Sequence, residues 1–462
     1  MFANLFSDKK FYKNLFVLAL PITFQYFISS SINLVGVMMV GQLGEASIAA
    51  LGLGNQIFFL VNLLMFGISS GYAIFAAQYW GANDVPNIRR VLGLCLTLGL
   101  VGSGIFTILA ASIPGPILSI YTKDPEVIAQ GTQYLRIAAF SYIPFAISMS
   151  FSFMHRSTGN VRMPMIISST SLVLNVIISY LLIFGHFGLP EMGVRGAAIG
   201  TLTARLVEAS AMVLLTYLTR TPIAASLREL TAYNWVFFQK TIATALPAVV
   251  NEIGWSFAIT CYNIVYARIG TESIAAVNIT ATIEEMAFVV FFGLANAGAI
   301  LIGNAIGAGQ EEKAYEYGKR YLMIGVFGAL IFGQLASLGS NLILQFYNIT
   351  PVAAQYARNI LLIFSFVMWI KVFNAMMIVG ILRSGGDTRF CLLVEMGAIW
   401  GIGVPMAVLG GLILHLEVYW VYLMVISEEI VKASLGFYRF RSRKWVHNLT
   451  QSPQTVESPQ LA

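Results

Sequence analysis

Charge is what this chain has least of. Its 462 residues include 27 Lys and Arg and 21 Asp and Glu, 10% of the total, where a soluble domain carries about 25%. So little charge cannot cover a water-facing surface, which excludes a large soluble domain. Histidine is scarcer still. His155, His186, His415 and His447 never stand at i, i+4, which excludes a helical zinc motif. The three cysteines, Cys95, Cys261 and Cys391, lie inside apolar runs and read as small packing residues with no disulfide framework. The glycines form no phosphate-cradling loop, so a nucleotide-powered engine is excluded.

What is there is apolar sequence, 58% of the chain, in runs long enough to cross a bilayer. A span needs about 20 mainly apolar residues. Candidates lie near 14–40, 47–78, 90–113, 127–155, 162–185, 193–218, 241–267, 273–305, 320–345, 353–381, 390–414 and 418–438. Turn residues separate them, at 41–44, 81–84, 159–160 and 385–387 among others. The first run is too long for a signal-peptide core and reads as an uncleaved span.

The basic residues test that count. With twelve spans, the termini and the even-numbered connections share one side. The odd connections hold only Lys123, Arg136, Arg195, Arg268 and Arg358, and Arg205, Lys371 and Lys432 lie within spans. The rest of the 27 Lys and Arg fall on the termini and even connections. By the positive-inside rule both termini are cytoplasmic, in a multi-pass protein of the cell (inner) membrane. The net charge of +6 therefore speaks of membrane orientation and not of nucleic acid.

The chain also repeats itself. Leu20-Pro21 recurs as Leu246-Pro247, and Gly44, Ser47, Ile48, Ala49 and Ala50 recur as Gly270, Ser273, Ile274, Ala275 and Ala276, all 226 residues on. Gly67 recurs as Gly293 and Gly81-Ala82 as Gly307-Ala308. The loop from Arg156 to Arg162 recurs as Arg383 to Arg389, 227 residues on. Six spans per half make the repeats parallel, a transporter design with its site between the halves. The expected fold is all-α integral membrane, with twelve transmembrane helices in two parallel six-helix pseudo-repeats around a central cleft. Residues 1–218 form an N-lobe, 219–239 a cytoplasmic linker, 240–440 a C-lobe and 441–462 a polar cytoplasmic tail.

These signatures resemble the multidrug and toxic compound extrusion (MATE) family. The resemblance runs through Leu20-Pro21 with Val40 to Gly44, the block Arg156 to Asn160, and Leu182 to Thr201. It continues through Leu246 to Trp255 and Leu382 to Thr388, and so covers nearly the whole chain. It implies a two-lobed antiporter that takes H⁺ or Na⁺ inward and sends organic cations outward, with no enzymatic activity and no cofactor beyond the coupling ion. The chain departs from the family pattern in its first half. Gly36 stands where many members carry an acid, and Asn175 and Ser179 where a second is expected. Asn374 stands about where some members have Asp. An N-lobe carboxylate mechanism is therefore in doubt.

An intramembrane charge costs about 2.5–3.5 kcal/mol on insertion scales and needs a reason. Spans one to five hold no acid in their interiors. Arg205 and Glu208 are spaced i, i+3 and read as an intrahelical pair. Glu252 lies five residues after Pro247, between Asn251 and Trp255, at a bendable polar spot suited to a cation, with Na⁺ as one occupant. Glu284 and Glu285 point about 100° apart, so one of them faces the cleft. Lys371, a turn before Asn374, is a counter-ion for Glu252 or for Glu284 and Glu285. Glu252, Glu284, Glu285, Lys371 and Asn374 are thus the expected coupling residues. Asn33, Asn175, Ser179, Asn251, Trp255 and Tyr262 are the expected substrate contacts. Glu428, Glu429 and Lys432 read as interfacial, and Glu395 as either. Arg156 and Arg383 read as loop anchors to lipid phosphates. The expected partners are small organic cations and the lipid bilayer, with a monomeric chain. The alternatives are a lipid-linked precursor flippase, which wants a basic cavity, and an intramembrane enzyme, which wants paired Asp, Ser–His or metal ligands at mid-depth.

Overall fold

The structure, a computed structural model, describes residues 8–345, 347 and 349–451, without the side chains of 33, 34 and 340–343. Among the described residues there are helices and turns and no strand. The first half holds α1 (Lys9–Gly41), α2 (Glu45–Gly81), α3 (Val85–Ser112), α4 (Pro125–Ser157), α5 (Arg162–Phe184) and α6 (Val194–Leu218). The second holds α7 (Trp235–Ile269), α8 (Thr271–Gly307), α9 (Glu311–Leu344), α10 (Pro351–Leu382), α11 (Thr388–Ile413) and α12 (418–441). Eleven of these are long and apolar enough to cross a bilayer. The twelfth breaks at Ile426 into Val418–Val425 and a second piece, Ser427–Arg441, that carries Glu428, Glu429 and Lys432.

Local sequence sets the ends. Asp84, Asp124, Asn234 and Thr350 cap their helices by accepting backbone N–H bonds, three of them with proline in the first turn behind. Gly159 and Gly386, equivalent in the two repeats, both take φ of +83°, so the repeated loop turns the same way twice. Pro21 and Pro247 lie inside α1 and α7, each removing one backbone donor.

The halves meet through four helices. α1 packs on α8, and α2 on α7 and α8. The pairs α1–α8 and α7–α2 exchange under the repeat, as a pseudo-twofold axis requires. Small residues let the backbones touch, which is how membrane helices associate without a hydrophobic drive. A Cβ on Gly307 would lie 1.8 Å from the Gln78 carbonyl oxygen, and one on Gly81 would lie 2.0 Å from that of Asn304. These contacts sit at the ends of α2 and α8. The neighbouring approach of Gly71 to Ala245 sits near the start of α7, on the same face. That face carries the described ends of the chain.

The segment after α12 seals it. Trp445 is fully buried, and the Gln78 amide donates to the carbonyls of Ser384 at 3.0 Å and His447 at 3.1 Å. Leu449 N–H donates back to Gln78 at 2.7 Å, and Lys240 donates to the Leu449 carbonyl at 2.6 Å. Asp387 holds Arg439 at 2.6 Å and lies 3.8 Å from His447. Burial pushes the Asp387 carboxyl up, but the nearby His447 ring and the bonded Arg439 outweigh it and hold the group below its ordinary value.

Candidate functional site

The second half contains three clusters of buried charges. Lys371, on α10, donates to Glu284 on α8 at 2.8 Å and to the Tyr422 hydroxyl at 2.9 Å, and Tyr422 donates to Glu284 at 2.6 Å. Arg383, on the turn that ends α10, pairs with Glu252 on α7 at 2.8 Å and with Glu395 on α11 at 3.3 Å. Asn251 donates to Glu395. Lys432, on α12, holds Glu429 at 2.7 Å and Glu428 at 3.2 Å. Asn374 donates to Glu429 at 2.6 Å, and Tyr262 to Glu428 at 2.7 Å. Glu252, Glu284, Glu395, Glu428 and Glu429 thus face Lys371, Arg383 and Lys432, so carboxylates outnumber bases. The side-chain oxygens of Asn251 and Asn374 are buried and have no hydrogen-bond donor.

Of the two pairings open to Lys371, the structure takes one, and other expectations change. Lys371 meets Glu284, while the partner of Glu252 is Arg383. The reason is the end of α10: residues Met376–Leu382 wind as a π-helix, which carries Arg383 into the bundle, where it is 4% exposed. Arg383 is therefore no headgroup anchor. Glu428 and Lys432, expected at the interface, are each 6% exposed, because the break at Ile426 turns the second piece of α12 onto α10 and α11. Asn251 and Tyr262 are buried and bonded within the charge clusters, which differs from the open cleft wall expected of substrate contacts.

Glu284 and Glu285 separate cleanly. Glu284 is paired inside the second half. Glu285 is exposed, on the α8 stripe of Asn278, Phe292 and Asn296. Further along, Asn296 and Ala299 line a cavity between the halves, so this stripe faces the cleft. Asn278 and Glu285 are exposed while Asn296 is half-buried, so the cleft narrows toward the sealed face and opens toward the other. Phe292 lies 6.5 Å from the Tyr26 ring of α1. Trp255 is 41% exposed and stands outside the charge clusters.

The cavity at the cleft floor encloses about 50 Å³ and is lined by Phe66, Ser70, Phe153, Arg156, Ser157, Asn296, Arg383 and Ser384, among others. A second cavity, of about 110 Å³, lies within the first half against Gly36, Asn55, Tyr134, Asn175, Ser179, Thr201 and Arg205. Among the described residues that line it there is no carboxylate. Ser179 donates to Asn175 at 3.0 Å, and Arg205 is held by Glu208 at 2.7 Å. Glu208 in turn accepts from Ser168 at 2.6 Å. Asn33 lies outside the residues whose side chains are described.

Comparison with known proteins gives a consistent picture. Residues 21–181 and 247–409 match the model of the MatE family, one segment per half. A probable multidrug resistance protein NorM from Rhizobium meliloti is 29% identical, over 81% of this chain and 81% of its own. One from Thermotoga maritima is 24% identical, over 94% and 93%. The solved outward-facing conformation of a multidrug resistance MATE family transporter superposes with a TM-score of 0.84 at 20% identity, over 95% of this chain and 97% of that one.

Proposed function

The chain belongs to the MatE family of multi-pass membrane transporters, and from that premise we propose that it exports small organic cations by alternating access, driven by inward H⁺ or Na⁺. The observation that carries the reading is the surplus of carboxylates over bases in the buried clusters of the second half. A surplus negative charge in low dielectric is costly until a cation joins it. A proton on Glu252 or Glu395, or a Na⁺ that also takes the free oxygen of Asn251, would supply that cation. The free oxygen of Asn374 beside Glu429 offers the same acceptor chemistry.

Substrate and ion then compete for one conformational cycle. Glu285, with Phe292 on the same stripe, offers a carboxylate and an aromatic face to a cation in the cleft. Each ion that moves inward gains about 2.3 kcal/mol per 100 mV, and each tenfold gradient of a neutral substrate costs about 1.4 kcal/mol. One ion therefore drives modest export. Residues 1–218 and 240–440 act as the rocking lobes, 219–239 links them, 441–462 is the tail, and both termini face the cytoplasm. Sealing of the face that carries the described ends makes this an outward-open state. The flippase alternative needs room for a pyrophosphate between bases, and the floor between Arg156 and Arg383 encloses only about 50 Å³. The test is transport of a fluorescent cation by purified protein in liposomes, with pH, Na⁺ and voltage imposed separately. Export that follows none of the three gradients would overturn the reading.

A further inference from the structure

Arg156 and Arg383 are the arginines more than nine-tenths buried among the described residues, and they occupy equivalent repeat positions on the cleft floor. The positions that supply the carboxylates of Arg383 hold neutral residues in the first half. The offset of 226 places Tyr26 where the second half has Glu252, and the offset of 227 places Ser168 where it has Glu395. The contact survives without the charge. Arg383 bonds Glu252, whereas the Arg156 guanidinium lies over the Tyr26 ring, 5.8 Å from its centroid, and over the Phe153 ring at 5.4 Å. Its Nη2 donates to Gln25 at 2.7 Å. Its Nε is buried and has no partner among the described residues, and those that line its cavity include no carboxylate.

A guanidinium cannot shed its proton. Desolvated, it is stabilised by a negative charge, and the described residues that line this cavity supply none. The Arg156 side chain lines a cavity of about 50 Å³, room for a few water-sized groups. That space suits one small anionic group. We propose that the cleft floor is an anion site, in which Arg156 binds a single monovalent anion of the size of a carboxylate or a halide. The aromatic faces of Tyr26 and Phe153 hold the guanidinium plane and leave its edge for the anion. Two sources share that chemistry: a carboxylate on a zwitterionic substrate whose cationic end lies by Glu285, and free chloride. The first source rests on the export reading, and the second does not.

The test uses the full chain in detergent. Chloride replaces gluconate at constant ionic strength while thermal melting is followed. The wild type should gain stability saturably with chloride, and Arg156→Gln should not. Tyr26→Glu restores the carboxylate that the other half has, so it should melt at least as high as the wild type in gluconate and ignore chloride. In liposomes, a cationic dye with a free carboxylate is compared with its methyl ester. A preference for the acid of about tenfold, lost in Arg156→Gln, assigns the site to substrate. A chloride response with no such preference assigns it to the free anion. Indifference of the wild type to both, or a chloride response undiminished in Arg156→Gln and Tyr26→Glu, overturns the proposal. If neither dye moves, the export reading fails, and the melting series still decides the site.

Discussion

At positions 227 residues apart, Arg156 and Arg383 meet different company: Gln25 and two aromatic rings for the first, Glu252 and Glu395 for the second. The same contrast runs through the halves. The first encloses a cavity with amides and hydroxyls at Asn55, Asn175, Ser179 and Thr201, and its one deep ion pair, Arg205 with Glu208, is a local i, i+3 contact. The second pairs charges from α7, α8, α10, α11 and α12 in three clusters, two of which bridge helices. Duplication preserved the backbone plan, down to the matching φ at Gly159 and Gly386, while the charge chemistry moved to one side. Local ion pairs stabilise one helix. Pairs between helices must break or re-form when the helices move, so the second half is where ion occupancy and motion can be coupled.

The largest expected effect compares the two arginines. Arg383→Met strands Glu252 and Glu395 in the interior and should cost about 3–5 kcal/mol of stability. Arg156→Met removes a charge that has no opposite partner, so it should be neutral or stabilising. Chemical denaturation in detergent measures both, and equal losses would erase the contrast.

Next come the adjacent acids. Glu284→Gln leaves Lys371 short of its carboxylate and should cost about 1–3 kcal/mol, with Lys371→Met restoring part of the loss. Glu285→Gln should leave melting unchanged and weaken a cationic substrate by about tenfold, because it faces the cleft. A melting drop in the Glu285 variant with substrate binding intact would reverse the assignment.

A smaller effect concerns the seam between the halves. Gly307→Ala puts a Cβ against the Gln78 carbonyl, so the sealed face should loosen at a cost of about 1–3 kcal/mol. Thiol labelling of Ser384→Cys should then speed up, and an unchanged rate would show that the seal does not depend on that contact.

The smallest effect is at the tail. The depressed Asp387 carboxyl contributes stability that is present above its unfolded value, near 3.8, and lost as pH falls through the lower folded value. Tail docking should therefore hold from neutral pH down to about 4 and weaken below it. Asp387→Asn should mimic that loss at neutral pH, by about 1 kcal/mol. Limited proteolysis near 445–451 reads both.

Much of the fold was legible because it follows from local pattern. Apolar runs mark the helices to within several residues, as at 162–185 against Arg162–Phe184, and the motif offsets expose the duplication. The charged partners were not legible, because they are set by packing across the chain: Arg383 reaches Glu252 over 131 residues. Arg383 also follows the last apolar residue of its run, so sequence ends the span where the π-helical turn continues it. The cleft-facing role of Glu285 left a signal, its seven-residue spacing from Asn278 and Phe292. So did Trp445, a large apolar residue in a segment read as a polar tail and found fully buried.

The central claim is that ion coupling resides in the second half. The direct measurement is uphill export of a fluorescent cation from liposomes, with pH and Na⁺ gradients imposed separately. It compares the wild type, Glu252→Gln, and the triple replacement of Asn33, Asn175 and Ser179 by Ala. The account predicts that Glu252→Gln inserts normally and loses gradient-driven export while retaining downhill exchange. The triple variant should bind substrate more weakly and keep the wild-type ion dependence. Wild-type uphill export by Glu252→Gln, together with loss of ion dependence in the triple variant, would contradict the claim and place coupling in the first half.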